Sequence, residues 1–522
     1  MFMNNLKETI NDEFNTNLTE NGAVGYCTTG KELLDINFSV TSMRNMDEGE
    51  IVDKFVKTFY ENKQLAIKWL FYARDVREGL GERRLFRYCL KYLSEKHADI
   101  SKAIIPLVPE YGRWDDLWCL LDTDVSDYVV SIVSTQLTSD IRKRSLGEPI
   151  SLLAKWMPSA NTSSKETKRL ARLMIQKLFI NEKSYRKMLS DLRAYLKVVE
   201  VSMCKKEWSK IDYSAVPSIA NLIYGNAFMK NDEERRSSYL SSLQKGETKI
   251  NAGVLFPHDI VHKYFDRGEF WYRNKLKGKD DITLEELWKA LPDYVNGDGN
   301  TICVADGSGS MDCPVGGTSV TALEVANALA IYFSERSSGE FRDKYITFSM
   351  NPRLVDLSNG ESLREKIEIA RRYNEVANTN IEAVFELILK TAINNNMSQN
   401  DIPKNILILS DMEFDSCASC KGGSIWSNIR PSKTLFNTIS DRYSQYDYKL
   451  PRLIFWNICS RTETIPVKEN DLGVALVSGF SPIIANMVLS NNTDPLECLL
   501  EQLNSYRYSA VEDALNERGL AK

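Results

Sequence analysis

Histidine is nearly missing from this chain: three in 522 residues, His97, His258 and His262. So few imidazoles leave a Ser-His-Asp triad or a histidine-rich zinc site almost nothing to draw on. His258 and His262, four apart, share a helix face but have no third ligand nearby, so they read as structural. Cys417 and Cys420 form a lone Cys-x-x-Cys, with no second pair for zinc and no thioredoxin-like strand-helix context for redox work. Other cysteines (Cys89, Cys119, Cys303, Cys459) sit inside apolar runs, the pattern of reduced core thiols. No apolar run nears the ~20 residues that span a bilayer. The first twenty residues are polar and acidic, without the sections of a signal peptide. No Gly-x-x-x-x-Gly-Lys is followed by the Ser or Thr that a P-loop needs. These absences point to a cytoplasmic protein without a membrane segment, and to no enzyme; a monomer is expected. The length allows two to four domains.

What is present centres on Asn300–Met311, where Ile302–Ala305 reads as a short strand buried on both faces. It runs into Asp306, Ser308 and Ser310, with Gly307 and Gly309 between them. At a strand's carboxyl end these residues turn three hard oxygens toward one point, and the glycines let the backbone bend tightly enough. Such a donor set suits Mg2+, or another divalent cation such as Mn2+. A second buried strand, from Lys404, ends in Asp411, and Asn378-Thr379-Asn380 precedes an amphipathic helix. Order and spacing resemble the von Willebrand factor A domain, whose metal-ion-dependent adhesion site (MIDAS) takes Asp-x-Ser-x-Ser, then a Thr, then an Asp. That resemblance implies a metal shell of Asp306, Ser308, Ser310, Thr379 and Asp411, although Ala377-Asn378 stands where many such domains have Gly-Gly.

Residues 1–295 read as helical throughout, from apolar spacing in 50–73, 84–93, 100–107, 125–137, 165–178, 185–203 and 216–228. Turn chemistry at Gly79-Leu80-Gly81, Pro149, Pro158 and Pro217 separates the helices. Without a strict sequence period, the best description is an irregular α-solenoid or ring. Beyond a turn-rich linker at 293–300, the pattern becomes strand-helix alternation. Strands are expected at 301–306, 344–349, 404–411, 451–457 and 473–478, and helices at 319–335, 362–372, 380–394, 433–444 and 481–489. This predicts a doubly wound, mainly parallel sheet. The expected domains are 1–295 helical, 296–490 α/β, and a helical tail over 491–522 that returns to the helical part.

Charge is unevenly distributed. The formal net charge is −5, yet residues 141–230 hold 18 Lys+Arg against 7 Asp+Glu, a local net of +11. The basic side chains are Arg142, Lys143, Arg144, Lys165, Lys168, Arg169, Arg172, Arg186, Lys187, Lys205 and Lys206. Lys165, Arg169 and Arg172 fall on one helix face. A basic stripe on an acidic chain is what a polyanion-binding surface requires.

Several longer stretches carry a broader resemblance: Arg74–Arg83, Tyr111–Asp116, Lys155–Ser159, Lys249–Gly253, Leu409–Asp415, Phe455–Asn457 and Val477–Ser481. Together they closely resemble a family known as a domain of unknown function. Its layout is similar to that of the Ro autoantigen family, a TROVE ring of HEAT-like helices joined to a von Willebrand A (Rossmann-like) domain. The resemblance implies a multidomain fold and a non-catalytic ribonucleoprotein component that holds small non-coding or misfolded RNA, by its ends or loops. It also implies a metal site open to a partner's carboxylate. The alternative is a metal-dependent interaction adaptor or scaffold that binds no RNA. Arg74-Asp75-Arg77 and Arg113-Asp115-Asp116 mix opposite charges closely and read as internal ion pairs and helix caps; Trp114 and Trp156 read as packing residues with faces on which bases could stack.

Overall fold

The apolar stretches of the C-terminal half become neighbouring strands, since each is hydrophobic enough to be covered on both faces. The computed structural model describes residues 15–20, 24–265, 276–277, 279–295, 300–349, 351–374, 381–413, 432–465, 475–484 and 494–520. Two short strands, β1 (Thr16–Leu18) and β2 (Val24–Tyr26), pair antiparallel. The sheet strands follow: β3 (Thr301–Asp306), β4 (Lys344–Phe348), β5 (Leu354–Asp356), β6 (Asn405–Ser410), β7 (Arg452–Asn457) and β8 (Ala475–Ser478). Their order is β5-β4-β3-β6-β7-β8, with every neighbouring pair parallel except β4 and β5. The five expected strands all form, to within two residues at their ends. The edge strand β5 was not expected; it has three residues, and only Val355 is buried.

One sheet face is a core in which Ile302, Val304, Ile406 and Ile408 pack with Val384 and Phe385 of the helix Ile381–Asn394. Against the other face lies the helix Ala322–Arg336, in which every residue from Ala322 to Ser334 is buried. A helix buried all round needs cover on its outer side as well. The segment preceding the sheet supplies it. The short helix Pro257–Val261 packs on it. His262 Nδ1 lies 2.6 Å from Glu324 Oε2, and its Nε2 lies 3.1 Å from Ser319 Oγ. Trp288 Nε1 donates to Glu335 Oε2 at 2.6 Å. At the β8 edge, the helix Glu32–Phe38 is pinned by Asn457 Nδ2, which donates to Phe38 O at 2.9 Å.

These contacts correct the expected domain bounds. The α/β unit comprises the residues up to Asp47 together with Leu255–Gln502, and the helical unit comprises Glu48–Val254 with Leu503–Lys522. Residues 1–295 are therefore not one helical domain: the first part carries the β1–β2 ribbon, and the last part covers a helix of the sheet. The 491–522 tail is divided between the units. Of the expected helix 481–489, the described residues reach only Ile484. Among the described residues, no helix is long and apolar enough to cross a membrane.

In the helical unit, the expected 50–73 helix is two helices, Glu48–Glu61 and Lys63–Arg74. Asn62 breaks them apart, its side chain accepting from Leu65 N at 3.0 Å as an N-cap. The chain's end does return here, as the sequence suggested. Arg507 Nε donates to the buried Asp75 at 2.7 Å, Tyr508 stacks on Tyr111, and the buried Lys68 pairs with Glu512. The charged motifs are internal, again as read. Asp116, fully buried, accepts from Arg74 Nε and Arg87 Nε, each at 2.8 Å, and from Arg113 N at 2.9 Å. Gly112 makes room for this: a Cβ there would stand 2.6 Å from Asp116 Oδ2. Burial alone would raise the Asp116 carboxyl, but the Arg74 and Arg87 guanidiniums outweigh it and hold it below the usual carboxylate range.

Asp116→Asn keeps the shape and strands the buried Arg74 guanidinium, so it should cost the helical unit about 3–5 kcal/mol, the scale for breaking a buried pair. Urea unfolding of the full chain reads this. A loss below about 1 kcal/mol, the scale of an exposed pair, would contradict the assignment.

Candidate functional site

In the α/β unit, chemistry collects where β3 and β6 lie side by side. From this pair the chain leaves in opposite directions across the sheet, so their carboxyl ends open a crevice at a topological switch point. Ala305 is paired with Leu409, which brings Asp306 beside Ser410 and close to Asp411. Ser410 Oγ donates to Asp306 Oδ2 at 2.6 Å, and Ser308 N donates to Oδ1 at 2.9 Å. Ser308 and Ser310 hydroxyls are 2.9 Å apart, and Ser310 also hydrogen-bonds Asp411. Four of the five expected ligands thus share one cluster, while Thr379 lies outside the described residues. Burial, and then the Asp411 charge, push the Asp306 carboxyl up to about 7, and burial likewise raises Asp411. Two buried carboxylates with two hydroxyls form a hard-oxygen set, which fits a small divalent cation. Among the described residues no three His, Cys, Asp or Glu side chains converge as a metal site, so a cation here would rest on hydroxyls as well.

Sequence reasoning missed Arg461. Its Nη1 donates to Asp411 Oδ2 at 3.1 Å and to Ser310 O at 3.3 Å, while Nε and Nη2 grip Glu20 at 2.8 and 2.7 Å. It follows β7, the neighbour of β6, and adjacent parallel strands deliver their following loops to the same edge. That register was the available signal. Glu413 is buried. It accepts from Arg461 N, Thr462 N and Glu20 N at 2.8–3.0 Å, and so fastens the loop that carries Arg461. Asp415, Cys417 and Cys420 lie outside the described residues. Cys313 Sγ is 3.6 Å from Arg461 Nη1 and 4.0 Å from Cys459 Sγ. The Cys459 thiol, and after it Arg461, bring Cys313 down to about 7 against the pull of burial.

The helical unit encloses a cavity of about 2860 Å3. Thirteen lysines and arginines line it against seven acids, a surplus of six. Of the eleven predicted basic residues, Arg169, Arg186, Lys187 and Lys205 reach this lining and the other seven do not. Arg169 is spent internally: it makes paired bonds to Asp122 (2.9 and 2.8 Å) and to Glu166. Arg144 lies 3.7 Å from Asp191, and Arg186 lies 4.0 Å from Glu182. Lys187 and Lys205 are exposed and have no ion pair among the described residues. The lining has an apolar side too, where Ile219 and Ile223 sit about half exposed one turn apart on the helix Ser218–Asn231. Trp156 also lines it, its ring covered by the Arg113 guanidinium at 4.1 Å; Trp114 is nearly buried.

A family model described as Domain of unknown function (DUF2828) matches residues 19–127 and 123–300, and one described as Domain of unknown function (DUF7788) matches residues 300–513. Among curated proteins, the chain is similar to uncharacterized protein L728 of Acanthamoeba polyphaga mimivirus. The two are 28% identical over 537 residues, covering 95% of this chain and 89% of that protein. Among solved structures it is similar to the crystal structure of the Deinococcus radiodurans RO (RSR) protein. That match has 13% identity, a TM-score of 0.37, and covers 86% of this chain and 92% of that one. A TM-score of that size carries no argument about fold or ligand.

The raised Asp306 carboxyl has a consequence for stability. The unfolded chain, with its carboxyl at the ordinary aspartate value of 3.8, releases this proton before the folded chain does at about 7. Folding therefore loses stability as pH rises from about 4 to about 7. In buffer free of divalent cations, the melting temperature of the wild type relative to Asp306→Asn should fall across that window. A constant difference would remove Asp306 as the titrating group.

Proposed function

This chain belongs to the DUF2828 family, and we propose that it is a non-catalytic RNA-binding protein of the Ro type. Its helical unit takes single-stranded RNA ends or loops, and its α/β unit is a von Willebrand A-type domain with a Mg2+ site. The observation that carries the RNA reading is the cavity of the helical unit. At about 2860 Å3 it far exceeds the roughly 300–1,000 Å3 of small-molecule pockets, and its lining is positive on a chain that is negative overall. Exposed lysines can meet phosphates, and the Ile219–Ile223 side and the Trp156 ring suit unpaired bases. Sequence resemblance to the Ro family suggests the ligand class, and the size and charge of the lining support it.

The von Willebrand A reading is supported by the strand order, by the antiparallel edge strand β5 and by the grouping of Asp306, Ser308, Ser310 and Asp411 beyond the carboxyl ends of β3 and β6. A Mg2+ ion on these oxygens, with Thr379 as the remaining ligand, would offer an open position to a partner's carboxylate. In this chain Arg461 already occupies one side of Asp411, so the cation would share that carboxylate with a guanidinium.

Fluorescence anisotropy with a labelled single-stranded RNA tests the proposal. Affinity should fall linearly with salt on logarithmic axes, by about 0.7 per phosphate neutralised. The double substitution Lys187→Glu and Lys205→Glu should weaken binding about tenfold or more and flatten the salt slope. Asp306→Ala should leave RNA affinity unchanged while abolishing the rise in melting temperature that Mg2+ gives the wild type. Affinity indifferent to salt and to both lysines would overturn the RNA reading in favour of the adaptor.

A further inference from the structure

We propose that Cys313 and Cys459 are an oxidative modification site, a thiol pair that closes into a disulfide when the protein meets a peroxide. The two sulfurs lie 4.0 Å apart although 146 residues separate them in sequence. A disulfide bond is about 2.05 Å long, so about 2 Å of approach joins them. Cys313 directly follows the helical turn Gly309–Asp312 and is flanked by the exposed Asp312 and Pro314, while Cys459 sits two residues past the end of β7 in the core.

Their exposures divide the work. Cys313 is half-buried and within reach of solvent, whereas Cys459 is buried. A small oxidant therefore meets Cys313 first. The Cys313 sulfur attacks one peroxide oxygen, the O–O bond breaks, and the leaving hydroxide takes up the thiol proton as water. The sulfur is now a sulfenic acid. The Cys459 sulfur then attacks it, the S–O bond breaks, and the departing hydroxide takes the second thiol proton. Two thiols and one peroxide give one disulfide and two waters, and an external dithiol reverses the change.

The other described thiols differ in setting. Cys89, Cys303 and Cys498 are buried, Cys119 is half-buried with its sulfur 3.2 Å from Asp116 O, and Cys27 and Cys204 are exposed. The pair also touches the acidic cluster. Arg461 Nη1 rests on the Cys313 sulfur as well as on Asp411, so the bond removes one of that guanidinium's contacts.

The full chain, reduced and then treated with hydrogen peroxide, should be blocked with N-ethylmaleimide and digested without reductant for mass spectrometry. A Cys313–Cys459 linked peptide should appear, both residues should lose maleimide labelling together, and dithiothreitol should abolish the link. In Cys459→Ser, Cys313 should stop at the sulfenic acid and react with dimedone, whereas wild type should not accumulate that adduct. Free labelling of both cysteines after oxidation, or a link from Cys313 to any other cysteine, Cys417 and Cys420 included, would overturn the proposal. The wild-type measurement decides the matter even if the variant fails to fold.

Discussion

One constraint organises the α/β unit: the helix Ala322–Arg336 is buried on every side from Ala322 to Ser334. A sheet can cover only one face of such a helix, so another part of the chain must cover the rest. That part is the stretch after Leu255, held by Trp288, Tyr332 and His262. This is why residues ahead of the first sheet strand belong with the sheet, and why the helical unit sits in sequence as an insertion between Asp47 and Leu255. The two family models meet at residue 300, which is where the strand pattern starts, but the packing divides the chain earlier.

A second constraint is electrostatic, and it explains the charged motifs without a ligand. Asp116 sits at zero exposure among Arg74, Arg87 and the backbone of Arg113, and Gly112 is the residue that lets the chain pass so close. These are the groups that make Arg74–Arg83 and Tyr111–Asp116 recognisable in sequence. They hold helices together, and Arg77, Arg83 and Arg113 also line the cavity. Lys187 and Lys205 are exposed on that lining and make no ion pair among the described residues.

Much of the α/β unit was legible because buried parallel strands are short apolar runs bounded by polar turns, and β3, β4, β6, β7 and β8 all have that form. Asp306, Ser308, Ser310 and Asp411 could be grouped for the same reason: each follows such a run, and the carboxyl ends of parallel strands share an edge. Arg461 was not legible, because its role depends on β7 lying next to β6, which is a fact of strand order and not of spacing. The boundary at 255 was hidden too, since helices that cover a sheet and helices that cover one another have the same apolar periodicity. Charge counting found the basic region but could not see pairing. Arg169 looked like the centre of a stripe, yet it is held by Asp122 and Glu166 from two directions.

The last described residues carry a kinetic implication. Lys68 and Asp75, both buried, find their partners in Glu512 and Arg507, more than four hundred positions later. Likewise Phe38 and Thr41 are met by Asn457 and Ser478. During synthesis, then, neither unit can satisfy its own buried polar groups from the segments that emerge first. The nascent chain must carry an unmatched lysine and aspartate in its helices until translation is almost over. Contacts of such long range make closure slow, and the exposed interval is when a chaperone would have most to hold.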